Sequence, residues 1–262
     1  MTMTVAAMTP TFPDLADKVV VVTGGSKGIG AATCVALGHN GAKVAVGGRD
    51  PDSIAEVVDG TRTAGGTAIG VEGDVTSPED MGRMRERVED ELGPVDIVIA
   101  FAGGFKARTP LLEAKLDDFR SVVESNLTST FITLQAFAPG MVERGKGAFV
   151  TMASNSGRYL DITLTASYAS AKAGIVMLTR HAAKELGPSG VRVNCIAPST
   201  TLTSRVEGVM NEEMRASVAK LAPLGRLGTP EDSAFGTLYL ASDAASFLTG
   251  ITLDVAGGRI ML

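Results

Sequence analysis

KVVVVTGGSKGIG, residues 18–30, decides the fold of this chain. Four consecutive valines without polar alternation read as a strand buried on both faces. The run stops at Thr23, and GIGAATCVALGHNG (28–41) continues as a helix that ends in glycine. Between them lies T-G-G-S-K-G-I-G, Thr23 to Gly30. A loop that leaves a strand and opens a helix presents unpaired N–H groups and the positive end of the helix dipole, a setting for a pyrophosphate. Glycines let the backbone approach the phosphates closely. Gly24, Gly28 and Gly30 fall at those points, with Ser26, Lys27 and Ile29 among them. The spacing is G-x-x-x-G-x-G rather than G-x-G-x-x-G. A plain tight turn would use the same residues, but the flanking strand and helix favour a nucleotide cradle.

The same alternation runs outward along the chain. Strands are expected at 42–47, 67–75 and 96–104, separated by helices at 51–65 and 77–93. Ser77 as N-cap, Pro78 at the first helical position and Gly93 past the end frame the second of these helices. A long helix over 116–143, a strand at 147–154, a helix at 167–187 and a strand at 191–198 follow. Helical stretches near 205–220 and 230–241 precede a last strand at 251–258. Seven strands interleaved with helices predict an α/β fold with a doubly wound, all-parallel, Rossmann-like sheet in one domain. Residues 1–16 are expected to be a flexible tail, and 17–262 the domain, with a substrate lid at about 199–224.

Composition narrows the function. Twenty-four basic against 29 acidic residues, net charge −5, with no basic tract, speak against nucleic acid or an anionic membrane as partner. No apolar run reaches the ~18 residues of a membrane span. Two cysteines, Cys34 and Cys195, exclude a disulfide scaffold and suit the reducing cytoplasm. No metal site is expected.

Of three tyrosines, only Tyr168 has a lysine four residues later, Lys172. That spacing sets both side chains on one helical face. An ammonium beside a phenol favours the phenolate, and a phenol so tuned can exchange a proton with an alcohol or carbonyl. Y-x-x-x-K also occurs as an ordinary surface pair. Upstream, Ser154 ends the fifth strand, with Ser156 close behind; either hydroxyl could bond the same carbonyl oxygen. Asn126 sits inside an otherwise good helix, where its amide competes for backbone bonds. Asp74-Val75 and Ala102-Gly103 follow strands three and four at the ligand-binding end of the sheet, where they suit an adenine and a ribose.

Taken together, these motifs resemble the short-chain dehydrogenase/reductase superfamily over Lys18 to Gly258. The resemblance rests on T-G-G-S-K-G-I-G, the Asn126 helix, S-x-x-G at Ser154–Gly157, Y-A-S-A-K at Tyr168–Lys172, V-R-V-N-C-I-A-P at 191–198, Leu248-Thr249-Gly250 and Gly257-Gly258. It implies that Tyr168 is the general acid, Ser154 orients the carbonyl, and Lys172 lowers the Tyr168 pKa and binds the nicotinamide ribose. Asn126 would hold a relay water. Pro198, Ser199 and Thr203 would lie near the nicotinamide, and the enzyme would be a homotetramer. The family's N-N-A-G is replaced by Ala100-Phe101-Ala102-Gly103, and its P-G by Pro198-Ser199.

An acidic residue at the end of strand two holds the ribose of NAD, and a basic one accommodates the phosphate of NADP. By the resemblance, Gly48 stands at the acidic position and Arg49 at the basic one, with Lys27 as a second cation, so NADP(H) is the expected cofactor. His39 and His181 match no catalytic position. Val206, Val209, Met210, Met214, Val218 and Leu221 recur at helical spacing and suggest a lid that also packs as core. Arg158 and Arg205 are the fixed cations near the pocket, and neither forms an evident carboxylate clamp. The expected reaction is reduction of a neutral ketone, or of a β-keto (thio)ester as in 3-oxoacyl-carrier-protein reductases, with Arg144, Lys146 and Lys184 as candidate carrier-docking residues. A sugar or polyol dehydrogenase, suggested by Asn155, Asp161 and Thr163, and a non-catalytic redox sensor are the alternatives.

Overall fold

The strand order across the sheet is β3-β2-β1-β4-β5-β6-β7, and every neighbouring pair is parallel. The computed structural model describes residues 9–105, 108–159 and 164–261. The strands are β1 (Val19–Thr23), β2 (Lys43–Gly48), β3 (Thr67–Glu72), β4 (Ile97–Ala100), β5 (Gly147–Met152), β6 (Val191–Pro198) and β7 (Thr252–Val255). Chain order reverses between β1 and β4. That switch point opens a crevice at the carboxyl ends of the strands, where ligands of such sheets bind.

The valine run explains why β1 lies at the centre. All five residues are buried, and they divide by parity. Val20 and Val22 face a cluster with Leu37 of α1 (Gly28–His39) and Ile54 of α2 (Pro51–Thr63). Val19 and Val21 face Met81 and Met84 of α3 (Pro78–Leu92) and Phe149 of β5. A strand's two faces alternate, so helices on both sides require apolar residues at every position. Phe101, where the family pattern has an amide, is buried in the first of these clusters. Apolar packing fills the place of the missing side-chain hydrogen bonds.

Several expectations change. Residues 9–16 are no free tail: Pro13–Leu15 form a 3₁₀ turn, Leu15 is fully buried, and Asn40 bonds the Phe12 amide and the Pro10 carbonyl. The helix expected over 116–143 is α4 (Leu116–Val123) and α5 (Ser129–Arg144) joined by one π-helical stretch, Glu124–Thr128. The helix expected near 205–220 is two short ones, α7 (Ser204–Glu207) and α8 (Glu212–Ala219), because Asn211 caps a new start. Neither buries a residue, so these two helices are not part of the core. Helices α6 (Ala166–Leu186) and α9 (Pro230–Ala241) complete the two layers. Among the described residues, no helix is long and apolar enough to cross a membrane.

Candidate active site

Helix α6 carries the centre of the site. Thr165 caps it, accepting the Tyr168 amide on its hydroxyl, and so fixes the first turn from which Tyr168 projects. Tyr168 and Lys172 are both buried on one face. The Lys172 ammonium lies 5.5 Å from the Tyr168 ring centroid and donates to the Met152 carbonyl at 2.8 Å. Burial drops its pKa to about 8. Burial also pushes the Tyr168 phenol up, while a hydrogen bond with Ser154 and the charge of Arg205 pull it down.

Gly157 brings Ser154 to this face. A Cβ there would lie 2.5 Å from the Lys172 carbonyl carbon, so only glycine lets the loop after β5 rest on α6. Ser154 is buried, and its hydroxyl bonds Asn155 and the Ser156 amide besides Tyr168. The Ser156 hydroxyl is buried without a hydrogen-bond partner among the described residues, whereas Ser154 is the one that bonds Tyr168.

Asn126 occupies the π stretch. A π turn is wider by one residue, a feature frequent at functional sites. Its fully buried amide donates to the Gly104 carbonyl at 2.8 Å and the Val122 carbonyl at 2.9 Å, and accepts from the Gly104 amide at 3.2 Å. Asn126 therefore holds the β4 exit loop in place. Phe105, which the sequence did not single out, and Arg205, expected near the pocket, also line the site. The Phe105 ring packs edge-on against Tyr168, with centroids 5.9 Å apart, and the Arg205 guanidinium lies 5.9 Å from the Phe105 centroid. Neither belongs to a motif; loop geometry alone brings them in. Arg158, the other expected cation, is spent in a buried ion pair with Asp254 of β7, 2.7 Å from Nε to Oδ1.

The glycine loop lies beside this cluster. Gly24 adopts φ +68°, and a Cβ on it would meet the Ala102 backbone at 2.8 Å. The two loops expected to contact one ligand, Gly24–Gly30 and Ala102–Gly103, are thus in contact. Thr203 caps α7 and faces Gly28 from across the cradle, with its methyl 3.2 Å from where a Gly28 Cβ would stand. Ser199 keeps ordinary backbone, since among the described residues the only non-glycine with positive φ is Asp17. Asp74 uses Oδ1 to hold the Thr76 amide and hydroxyl, and these bonds keep its carboxyl below the usual range.

At the end of β2, Asp50 caps α2 through Ser53 and pairs with Lys27 at 2.9 Å, contacts that lower its pKa to about 2. Lys27 therefore has Asp50 as an ion-pair partner. Arg49 is exposed and forms no ion pair among the described residues. A Cβ on Gly48 would come 2.8 Å from the Ser26 hydroxyl, so an acidic side chain there would displace Ser26.

Asp161 and Thr163 lie outside the described residues. The proposed carrier-docking residues fall at the wrong end of the molecule. Arg144 and Lys146 precede β5, and Lys184 lies 16 residues down α6 from Tyr168, roughly 24 Å at 1.5 Å per residue. All three sit at the amino ends of the strands, opposite the site.

The model for the family described as Enoyl-(Acyl carrier protein) reductase matches residues 24–259. The chain is 38% identical over 245 residues to cis-4-hydroxycyclohexanecarboxylate dehydrogenase of Sinomonas cyclohexanicum, covering 93% of this chain and 96% of that protein. It is 37% identical to cyclohexanol dehydrogenase of Rhodococcus sp. (strain TK6), covering 96% and 98%. A crystal structure of a 3-oxoacyl-[acyl-carrier protein] reductase with bound NAD from Brucella melitensis matches with TM-score 0.90 and 32% identity, covering 100% of this chain and 98% of that one. With the glycine cradle at the switch point and Ser154, Tyr168 and Lys172 converging beside it, these likenesses make the chain a member of the short-chain dehydrogenase/reductase family of oxidoreductases.

Proposed function

We propose that this chain interconverts a ring-sized secondary alcohol and its ketone, using NADP(H). The convergence of the Ser154 and Tyr168 hydroxyls beside the glycine cradle carries the reading. A nicotinamide bound in the cradle would supply or take the hydride. Ser154 orients the carbonyl oxygen by a hydrogen bond, and Tyr168 gives that oxygen its proton. Lys172, anchored to Met152, holds the ribose side of the site, and Asn126 fixes its floor through Gly104. Two curated relatives are named for cyclohexane-ring alcohols, which supports a ring substrate. A β-keto thioester is the second reading, supported by the likeness to 3-oxoacyl-[acyl-carrier protein] reductase, although Arg144, Lys146 and Lys184 face away from the site and would not dock a carrier there. The test is a screen of coenzyme consumption across cyclohexanones, β-keto esters, β-ketoacyl thioesters and ketoses. Turnover confined to ketoses would overturn the ring-ketone reading.

The preference for NADP(H) rests on Arg49, since Asp50 is committed to Lys27 and Ser53. A charge-assisted contact is worth about 1.5–3 kcal/mol, a factor of about 10 to 100. Arg49→Ala is expected to raise the KM for NADPH by that factor with little change for NADH. Equal kcat/KM for the two coenzymes in the unsubstituted enzyme would contradict this.

We further propose a cytoplasmic homotetramer. Leu134, Phe137 and Ile175 are in the chain's own core, but Phe131 is 45% and Met177 60% exposed. Leu116 and Phe119 of α4 extend the uncovered apolar surface, which marks an interface. Light scattering at micromolar concentration is expected to give about four times the 26.9 kDa chain mass; a monomer would refute it.

A further inference from the structure

We propose that Arg205 anchors a carboxylate of the substrate, so that the enzyme acts on a ring-sized hydroxy or keto acid whose reacting carbon faces Tyr168. This rests on the reading of the site as a ketone–alcohol oxidoreductase. Arg205 is exposed at the start of the lid, in α7. Its guanidinium lies over the Phe105 ring, and a Cβ on Gly104 would come 2.5 Å from its Nη1. The Phe105 ring edge in turn touches Tyr168. Tyr168, Phe105 and Arg205 therefore form one wall: a proton donor at one end, an apolar ring in the middle, a fixed cation at the other.

Three arginines of the surrounding elements are engaged elsewhere. Arg158 pairs with Asp254, Arg226 with Asp232, and Arg215 donates to the Glu207 and Met210 carbonyls, tying the end of α7 to α8. Arg205 makes no ion pair among the described residues, although its charge is felt at Tyr168. A guanidinium stacked on an aromatic face keeps its N–H edge available for a planar bidentate anion. Holding a carboxylate there would place the far side of a six-membered ring against Phe105 and toward Tyr168.

The test separates binding from turnover. Cyclohexanecarboxylate, which has no reducible carbonyl, is titrated by calorimetry into the coenzyme-loaded enzyme and into Arg205→Gln and Arg205→Lys. In parallel, kcat/KM is measured for 4-oxocyclohexanecarboxylate and for its uncharged methyl ester. The acid is expected to be preferred over the ester by about 10- to 100-fold, the worth of a charge-assisted hydrogen bond. In Arg205→Gln that ratio falls close to one and cyclohexanecarboxylate binds at least tenfold more weakly, while Arg205→Lys keeps part of both. The ratio removes any effect of Arg205 on the Tyr168 phenol, which acts equally on both substrates. Equal carboxylate affinity in the unsubstituted enzyme and Arg205→Gln overturns the proposal. Arg205-dependent binding with no ketone reduced would uphold the anchor and overturn the reductase reading instead.

Discussion

Tyr168→Phe is expected to lower kcat by about 10²- to 10⁴-fold, the contribution of a positioned general acid. The substitution removes one oxygen from a buried ring and leaves the edge contact with Phe105 and the Lys172 ammonium over its face. Coenzyme affinity, read by fluorescence titration, should therefore stay near the unsubstituted value. The pH dependence follows from the two roles of the phenol. Reduction needs the protonated form and declines as pH rises through the Tyr168 pKa, which burial pushes up. Alcohol oxidation needs the phenolate and rises over the same range. Tyr168→Phe should flatten both profiles. Retention of more than a tenth of the activity would show that another group supplies the proton.

The second large effect is expected at a residue without functional groups. Gly157→Val places a Cβ 2.5 Å from the Lys172 carbonyl carbon and 2.6 Å from the Ala173 nitrogen, both of them backbone atoms of α6 that cannot turn away. The loop must lift by about 1 Å to restore ordinary contact, and a displacement of that size costs about 10²-fold in rate. The Ser154 hydroxyl leaves Tyr168 with it. Crowding a packed contact of this kind also costs about 1–3 kcal/mol of stability, visible as a lower Tm. Gly82→Ala is the control. No heavy atom lies within 4 Å of its Cβ position, and it sits inside α3, so alanine should raise stability by about 0.5–1 kcal/mol and leave kcat unchanged. Full activity in Gly157→Val would mean that Ser154 is not positioned by this contact.

The sequence by itself determined the layered architecture, because hydrophobic periodicity is a local property. The valines of β1 must be covered on both sides, and a strand, a glycine turn and a helix in succession leave little choice of topology. The residue pair on α6 was legible for the same reason, since a four-residue spacing fixes a shared helical face. Asn126 was visible as an anomaly, a poor mid-helix residue, but the π turn that explains it depends on pairing with Gly104, 22 residues away. Between Ser154 and Ser156, period and spacing could not choose; the contact of Gly157 with α6 shows how the Ser154 loop is held against Tyr168. Burial dominates the Tyr168 phenol, and Ser154 and Arg205 act against that burial. Charges oppose or assist one another by distance in space, and only the folded chain sets those distances. The same holds for the cations. Lys27, Arg158 and Arg205 look alike in the sequence, but tertiary contacts pair the first two with Asp50 and Asp254 and leave the third over Phe105, facing the site.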